Sequence, residues 1–318
     1  MRGGLFVEIV TMAWDTLQGN KLRSALTVLG IVIGIMSIVG MTSLIRGFDQ
    51  SLRDSIETIG PDTIFVAKFS AVSLSSGASF QDMIQRPNMT PQDADAIGAL
   101  PSVESSAVIL GNGGPSQTER IYFRDQKTKP LNIYGTTDVY PSLTRIPIVM
   151  GRFFNEGEVL RHRQVIVLGQ TPYLALFPNA DPIGKTVRLG LVPYEVIGVL
   201  GKRPSPGGFD VGADDNAIIP QTAYQKQFGI RVYDIGRGEV RAVLIGALPR
   251  EGVPREQAIQ EIEDTMRIRH RLRLDQPDDF DIVTQDAILK VWDQVSQATF
   301  LSLVVLSSIA LMVGGIGV

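Results

Sequence analysis

The chain has 318 residues, 30 Lys and Arg against 33 Asp and Glu, a formal net charge of -3 and 44% hydrophobic residues. That balance carries no basic surplus of the kind that holds nucleic acid, so no nucleic-acid partner is expected. The absence of cysteine excludes disulfides, thiolate metal sites and a cysteine nucleophile.

The first expected element is an amphipathic helix within residues 1–24. Leu5, Phe6, Ile9, Val10, Ala13, Trp14 and Leu17 recur at three-to-four spacing, with Glu8, Asp15 and Gln18 opposite. Directly before an apolar run, this helix either lies in the lipid interface, with Trp14 on its apolar side, or packs against the rest of the protein.

From Ala25 to Ile45 there is no charged residue, no Asn or Gln, and no Pro. At about 1.5 Å rise per residue, such a helix crosses the roughly 30 Å hydrocarbon core of a bilayer. A signal peptide has a shorter apolar core, of about 7–15 residues, and a buried core helix of a soluble protein shows a polar face. Residues 25–45 therefore read as transmembrane helix 1. Gly30 and Gly34 form a G-x-x-x-G pair with Ser37 one turn on, candidate positions for close helix packing in a dimer; glycine is also simply common in membrane helices. Arg2, Lys21 and Arg23 precede the run, whereas Arg46 and Arg53 follow it among Asp49 and Asp54. That asymmetry puts the N-terminus in the cytoplasm and the following region outside.

Helical spacing continues past the span through Phe48, Leu52 and Ile56, so residues 46–60 read as a stalk helix ended by Gly60-Pro61. A continuous helix would carry it about 20 Å beyond the bilayer. The C-terminal end mirrors this arrangement. Ile288, Trp292 and Val295 mark a second stalk over 285–297, which runs without a breaker into an uncharged stretch, 298–318, expected as transmembrane helix 2. The natural protein is expected to continue beyond Val318.

Between the stalks lie about 230 to 240 residues, enough for one large or two small domains. Strands are expected at Thr63–Ala67 and Val103–Leu110. Between them come a Ser-, Gly- and Gln-rich loop over Ser70–Asn88 and a helix opened by Thr90-Pro91. The order repeats later: a strand over Val240–Leu248, a helix over Pro254–Leu272 and a strand over Phe280–Val283. The two flanks, 61–117 and 237–284, thus suggest one α+β lobe built from both ends. The middle, 118–236, alternates short strands with Gly and Pro turns and reads as an inserted β-rich lobe. Its strands fall at Arg120–Arg124, Leu131–Tyr134, Gln164–Leu168, Thr186–Leu189, Tyr194–Leu200 and Ala217–Ile219. Lys202–Asn216 reads as a surface loop.

No catalytic signature emerges. Gly184-Lys185-Thr186 has Asn179 where a phosphate-binding loop needs glycine, and a strand rather than a helix follows, so it reads as a turn. His162 and His270 each sit in an Arg-His-Arg patch that reads as solvated surface and disfavours a metal. The acidic pairs Asp214-Asp215 and Asp278-Asp279 lack calcium-loop spacing. No catalytic, cofactor-binding or metal-binding residue is assigned.

A set of ordered motifs carries a family pattern: NKLRSALTVLGIVIGI at 20–35, Gly151-Arg152-Phe153-Phe154, RQVIVLG at 163–169, Leu176-Phe177, DPIGKTVRLG at 181–190, YEVIGVL at 194–200, DDNAIIP at 214–220 and GGIGV at 314–318. In this order and spacing the chain resembles the permeases of MacB-like ABC transporters, the macrolide-exporter and FtsX-related family. The resemblance implies an α+β membrane protein of the bacterial inner membrane. Two transmembrane helices of this chain would flank a large periplasmic domain, made of a discontinuous α+β lobe and an inserted β-rich lobe. It further implies that a separate cytoplasmic ABC ATPase binds ATP-Mg and drives a permease dimer, homomeric or related and heteromeric, whose helices transmit motion to the periplasm. A periplasmic adaptor and an outer-membrane channel are possible further partners. Two other readings stay open: an FtsX-like regulator of a periplasmic cell-wall hydrolase, and a membrane-anchored periplasmic sensor or enzyme.

Overall fold

The computed structural model describes residues 12, 21–57, 62–70, 72–73, 77, 79–111, 118–178, 180–202, 214–230, 232–234, 239–241 and 243–316. The expected amphipathic helix before residue 21 and most of the 202–216 loop lie outside the described residues. The chain divides into a helical unit, Met1–Gln50 with Trp292–Val318, and a sheet unit, Ser51–Val291.

The first helix, α1 (Lys21–Glu57), runs without interruption for 37 residues, as expected of a stretch with no Pro. Within it Val32–Arg53, 22 residues of mean hydropathy 1.4, is long and apolar enough to cross a membrane. Its apolar side chains point outward. Ile33, Met36, Val39 and Leu44 are 52–68% exposed, the reverse of a buried core helix. The last helix shows the same inversion at Leu301, Val305, Leu306 and Ile309.

The sheet unit follows the chain through β1 (Ile64–Ala67), α2 (Phe80–Gln85), α3 (Pro91–Gly98) and β2 (Val103–Leu110). Next come β3 (Thr118–Glu119), β4 (Ile121–Phe123), β5 (Gln126–Lys127), β6 (Leu131–Thr136), α4 (Tyr140–Thr144), β7 (Ile148–Gly151) and α5 (Glu156–Leu160). Then follow β8 (Val165–Leu168), α6 (Gln170–Leu176), β9 (Thr186–Leu189), β10 (Val192–Leu200), β11 (Asn216–Pro220) and α7 (Gln221–Phe228). The chain returns through β12 (Val232–Asp234), β13 (Glu239–Arg241), β14 (Val243–Pro249), α8 (Arg255–Arg269), β15 (Asp281–Val283) and α9 (Gln285–Ile316). Strands from both flanks and from the middle run in one sheet, in the order β15-β1-β14-β2-β6-β11-β8-β10-β9-β4-β5, with β3 on β6 and β7 on β10. The flank and the middle meet at a short seam, Ile109↔Thr136 and Leu110↔Gly135.

Helix α3 is set by Thr90, whose backbone N–H is capped by the Asp93 carboxylate at 2.8 Å, with Pro91 at the first turn. Its buried Ala94 and Ile97 join Ala258, Ile262 and Met266 of α8 in the main apolar core. The same core continues into the middle region through Ile133, Val196 and Tyr224. Burying each such large side chain contributes about 1.5–3 kcal/mol.

Three expectations are corrected. The stretch Ser70–Asn88 is not all loop: Ser79 accepts a hydrogen bond from the Gln81 N–H at 3.3 Å and opens α2, which buries Met83 and Ile84. Three apolar residues, Phe80, Met83 and Ile84, within six positions of a polar stretch give too short a period to read as a helix. The middle region is not only strands and turns, because α4 to α7 lie in it. Each spans five to eight residues, so tertiary packing rather than periodicity decides them. The strand expected over Val240–Leu248 is two, β13 and β14.

Candidate functional site

The two flanking helices connect to neighbouring strands. After α1 the chain enters β1, and β15 leads through Thr284 into α9. Strands β1 and β15 pair antiparallel, with Ala67 opposite Asp281. A buried polar knot sits on that pair. The Asp281 side chain is 7% exposed and accepts hydrogen bonds from Ser70 Oγ (2.7 Å), Ser73 N (3.2 Å) and Ser73 Oγ (2.5 Å). Arg86 Nη1 adds an ion pair at 2.8 Å and also donates to the Lys68 carbonyl at 3.0 Å. Lys68 itself is 2% exposed, with its Nζ 3.1 Å from Asn88 Oδ1. Burial pushes the Asp281 carboxyl up, but the hydrogen bonds from Ser73, Ser70 and Arg86 together outweigh it and hold the group below the usual carboxylate range.

The entry to β1 and the start of α9 are each tied down as well. Thr63 Oγ1 donates to the Leu143 carbonyl at 2.8 Å, and Asp62 lies 4.0 Å from Arg145. At the start of α9, Thr284 Oγ1 accepts from the Ala287 N–H at 3.2 Å, and Asp286 pairs with Arg255 at the head of α8. Arg145 and Arg255 also border a cleft of about 450 Å³ that Asp62, Glu104, Arg250 and Glu251 help to line. Its charges are mixed, and it brings together no nucleophile with a base. Among the described residues no group of His, Asp and Glu could hold a metal ion.

The candidate residues read from sequence fall in both units. In the helical unit the rings of Phe48 and Trp292 meet, with centroids 4.5 Å apart and planes tilted by 39°. Gly34 is buried and Ser37 exposed, while Val295 is 51% exposed. Gly30 lies within α1, but its surroundings are outside the described residues. In the sheet unit Leu52 and Ile288 are half-buried; Ile56 lies in α1 with a side chain outside the described residues. None of these belongs to the Asp281 knot, which no sequence pattern announces.

His270 departs from the solvated surface expected for both histidines. Its side chain is 7% exposed, its Nδ1 is 2.5 Å from Asp279 Oδ1, and its ring stands edge-on to Phe280. His162 is exposed, as read. The acidic pairs are occupied by structure: Asp278 binds Arg267, Asp279 binds His270, and Asp215 lies 2.5 Å from Lys129 Nζ.

Residues 24–265 match the family described as the MacB-like periplasmic core domain. The chain belongs to that family. It is 29% identical over 317 residues to the macrolide export ATP-binding/permease protein MacB of Psychrobacter cryohalolentis, covering 98% of this chain and 43% of that protein. It is 26% identical to the pyoverdine export ATP-binding/permease protein PvdT of Pseudomonas entomophila, covering 99% of this chain and 44% of that one. The chain thus spans less than half the length of these relatives. The crystal structure of the periplasmic region of MacB from Actinobacillus actinomycetemcomitans shares the fold, with a TM-score of 0.57 at 20% identity over 76% of this chain and 97% of that one. The extracellular domain of YknZ, an ABC-type transporter of Gram-positive bacteria, matches at 0.50 and 15% identity over 70% of this chain and all of that one.

The motifs that carry the MacB-like resemblance fall on structural elements: RQVIVLG, YEVIGVL and DDNAIIP supply β8, β10 and β11, and Gly151 and Gly184 stand at a strand end and a turn. Gly151 has φ +69°, and a Cβ there would meet the Ile197 carbonyl oxygen at 2.2 Å. The next residue, Arg152, grips Glu158 with two contacts of 2.8 Å, and Phe154 is buried. The Glu158 carboxyl is held low by that Arg152 hydrogen bond. Gly184 has φ +73° and closes the turn before β9, as its sequence suggests.

Proposed function

We propose that this chain is permease material of a MacB-like ABC transporter, anchored in the inner membrane with its sheet unit in the periplasm. It would pass ATP-driven motion of a separate cytoplasmic ATPase to that unit, for export or extraction of a substrate. The ATP-Mg complex belongs to the ATPase, and this chain does no chemistry of its own. Helices α1 and α9 are the two spans in this reading, residues 46–60 and 285–297 the stalks, and a second permease copy packs near Gly30 and Gly34. An adaptor and an outer-membrane channel complete the assembly. The names of the relatives, exporters of macrolides and of pyoverdine, support an export role.

One observation carries the mechanical part. The strands that connect to α1 and α9 are paired with each other, and the pair is locked by a buried ion pair rather than by apolar contacts alone. A displacement of either helix would reach the sheet through that pair. The motion of the α+β flank against the middle region would then turn on the short Ile109–Leu110 seam.

The reading is tested by purifying the full-length protein from native membranes in mild detergent and measuring ATP hydrolysis in the sample. The expected result is a co-purifying ATPase whose activity survives Asp281→Ala while transport by the assembly is lost. Absence of any ATPase from an intact dimer would overturn the transporter assignment.

A further inference from the structure

The far end of the sheet is built differently from the knotted end. Strand β4 pairs with β5 and with β9, so that Lys127, Tyr122, Arg188 and Pro193 stand directly opposite one another across four strands, on one side of the sheet. The other side of β4 is anchored: Ile121 is buried, and the Phe123 ring lies 4.4 Å from that of the buried Phe177. The outer side carries a cleft of about 320 Å³ lined by Tyr122, Arg124, Arg188, Leu191 and Pro193 among others. Leu191, at the tip of the β9–β10 turn, is 91% exposed. The Arg188 guanidinium lies 5.0 Å from the Tyr122 ring centroid, which holds it over the cleft.

Arg124, Lys127 and Arg188 are all exposed, and among the described residues no carboxylate pairs with any of them. The carboxylates at hand do not cancel them. Asp125 lies in the β4–β5 turn, and Glu195 sits opposite Thr186, where it supports the charge of Arg152. On a chain of net charge -3, three cations without a carboxylate partner on one outer face, two of which (Arg124 and Arg188) line the cleft beside Tyr122, Leu191 and Pro193, are a local reversal of sign.

We propose that this face docks an acidic, leucine-bearing segment of a partner protein. Carboxylates would meet Arg124, Lys127 and Arg188, and one apolar side chain would enter the cleft between Tyr122, Leu191 and Pro193. Arginine and tyrosine around a desolvated pocket are the residues that anchor protein interfaces. A phosphate-rich membrane surface fits less well. Arg124 and Arg188 line a single concavity instead of spreading across a plane, and Asp125 and Glu195 repel a dense anionic sheet.

The test uses the full chain in nanodiscs of zwitterionic lipid. A labelled short peptide alternating Glu and Leu is titrated by fluorescence anisotropy, beside a Lys-Leu and a Glu-Gly peptide. Expected is binding of the Glu-Leu peptide about tenfold tighter than of either control, reduced about tenfold by Arg124→Glu with Arg188→Glu. Lys127→Glu, on an exposed two-residue strand, gives a second variant should the double change disturb β9. Equal binding by wild type and variants, or no preference over Glu-Gly, overturns the proposal. So does tighter association with phosphatidylglycerol vesicles than with the peptide, which would make the face a lipid contact.

Discussion

The two ends of the sheet solve opposite problems. Around β1 and β15 the charges named above are matched: Arg86 with Asp281, Arg255 with Asp286 at the helix starts, and Lys68 with Asn88. At β4, β5 and β9 the charges Arg124, Lys127 and Arg188 face outward without a carboxylate partner among the described residues. A buried ion pair fixes geometry, because losing either partner leaves a desolvated charge behind. An end whose cations face solvent keeps its electrostatics available. The difference separates residues that should govern stability from residues that should govern recognition.

The largest effect is expected at the knot. Asp281→Ala leaves Arg86, with a side chain 16% exposed, without its partner, and breaking such a buried pair costs about 3–5 kcal/mol. Urea unfolding of the purified chain would read it, and hydrogen exchange should rise across β1 and β15 before it rises in β2 and β14. The joint change Arg86→Met with Asp281→Leu should recover most of the loss. The knot also predicts an acid limit. The folded Asp281 carboxyl lies below its ordinary value of 3.8, so its contribution is fully present above that value. It is lost as pH falls below 3.8 through the folded value, and the acid limb of the stability curve should flatten in Asp281→Asn.

Between the two ends lies the apolar core, and there Ile262→Ala is expected to cost about 2–5 kcal/mol, because Ile262 is fully buried beneath α3 and the sheet. Unlike the knot variant, it should raise hydrogen exchange in β2 and β14 together with α8. A smaller loss, about 1 kcal/mol, is expected for Thr284→Val, which removes the cap from the Ala287 N–H at the head of α9. Fraying confined to the first turn of α9 in exchange data would confirm it.

These differences also explain what could be read from the sequence. Long, strongly periodic or alternating segments were legible: Val103–Leu110 and Thr186–Leu189 are strands with the bounds read, and α8 lies within the helix read over 254–272. The apolar run of α1 was legible because no charged residue, Asn, Gln or Pro interrupts it. The five- to eight-residue helices of the middle region were not, although Asn155 and Glu158 form a capping box at α5 that the sequence does display; α3, of eight residues, was legible from its Thr90-Pro91 start. The knot was invisible for a different reason. Asp281 meets Arg86 across 195 residues and Ser70 across 211, and no local spacing encodes a contact of that separation. His270 misled in the same way: its Arg neighbours are adjacent in sequence, but its partner Asp279 arrives by the return of the chain.

The smallest stability effect is expected at the far end, and its smallness is the informative part. Lys127→Glu changes an exposed side chain on a two-residue strand with no ion-pair partner among the described residues, so the folded chain should move by no more than about 0.5 kcal/mol. The sign carries meaning. If Arg124, Lys127 and Arg188 repel one another without compensation, replacing one by a carboxylate should leave stability unchanged or raise it slightly, and added salt should erase the gain. A loss of more than about 1 kcal/mol, twice the ordinary surface range and read by the same urea titration used for Asp281→Ala, would mean that Lys127 has a structural role. The contrast between a fixed end and an available end would then fail at the place where it is most exposed to test.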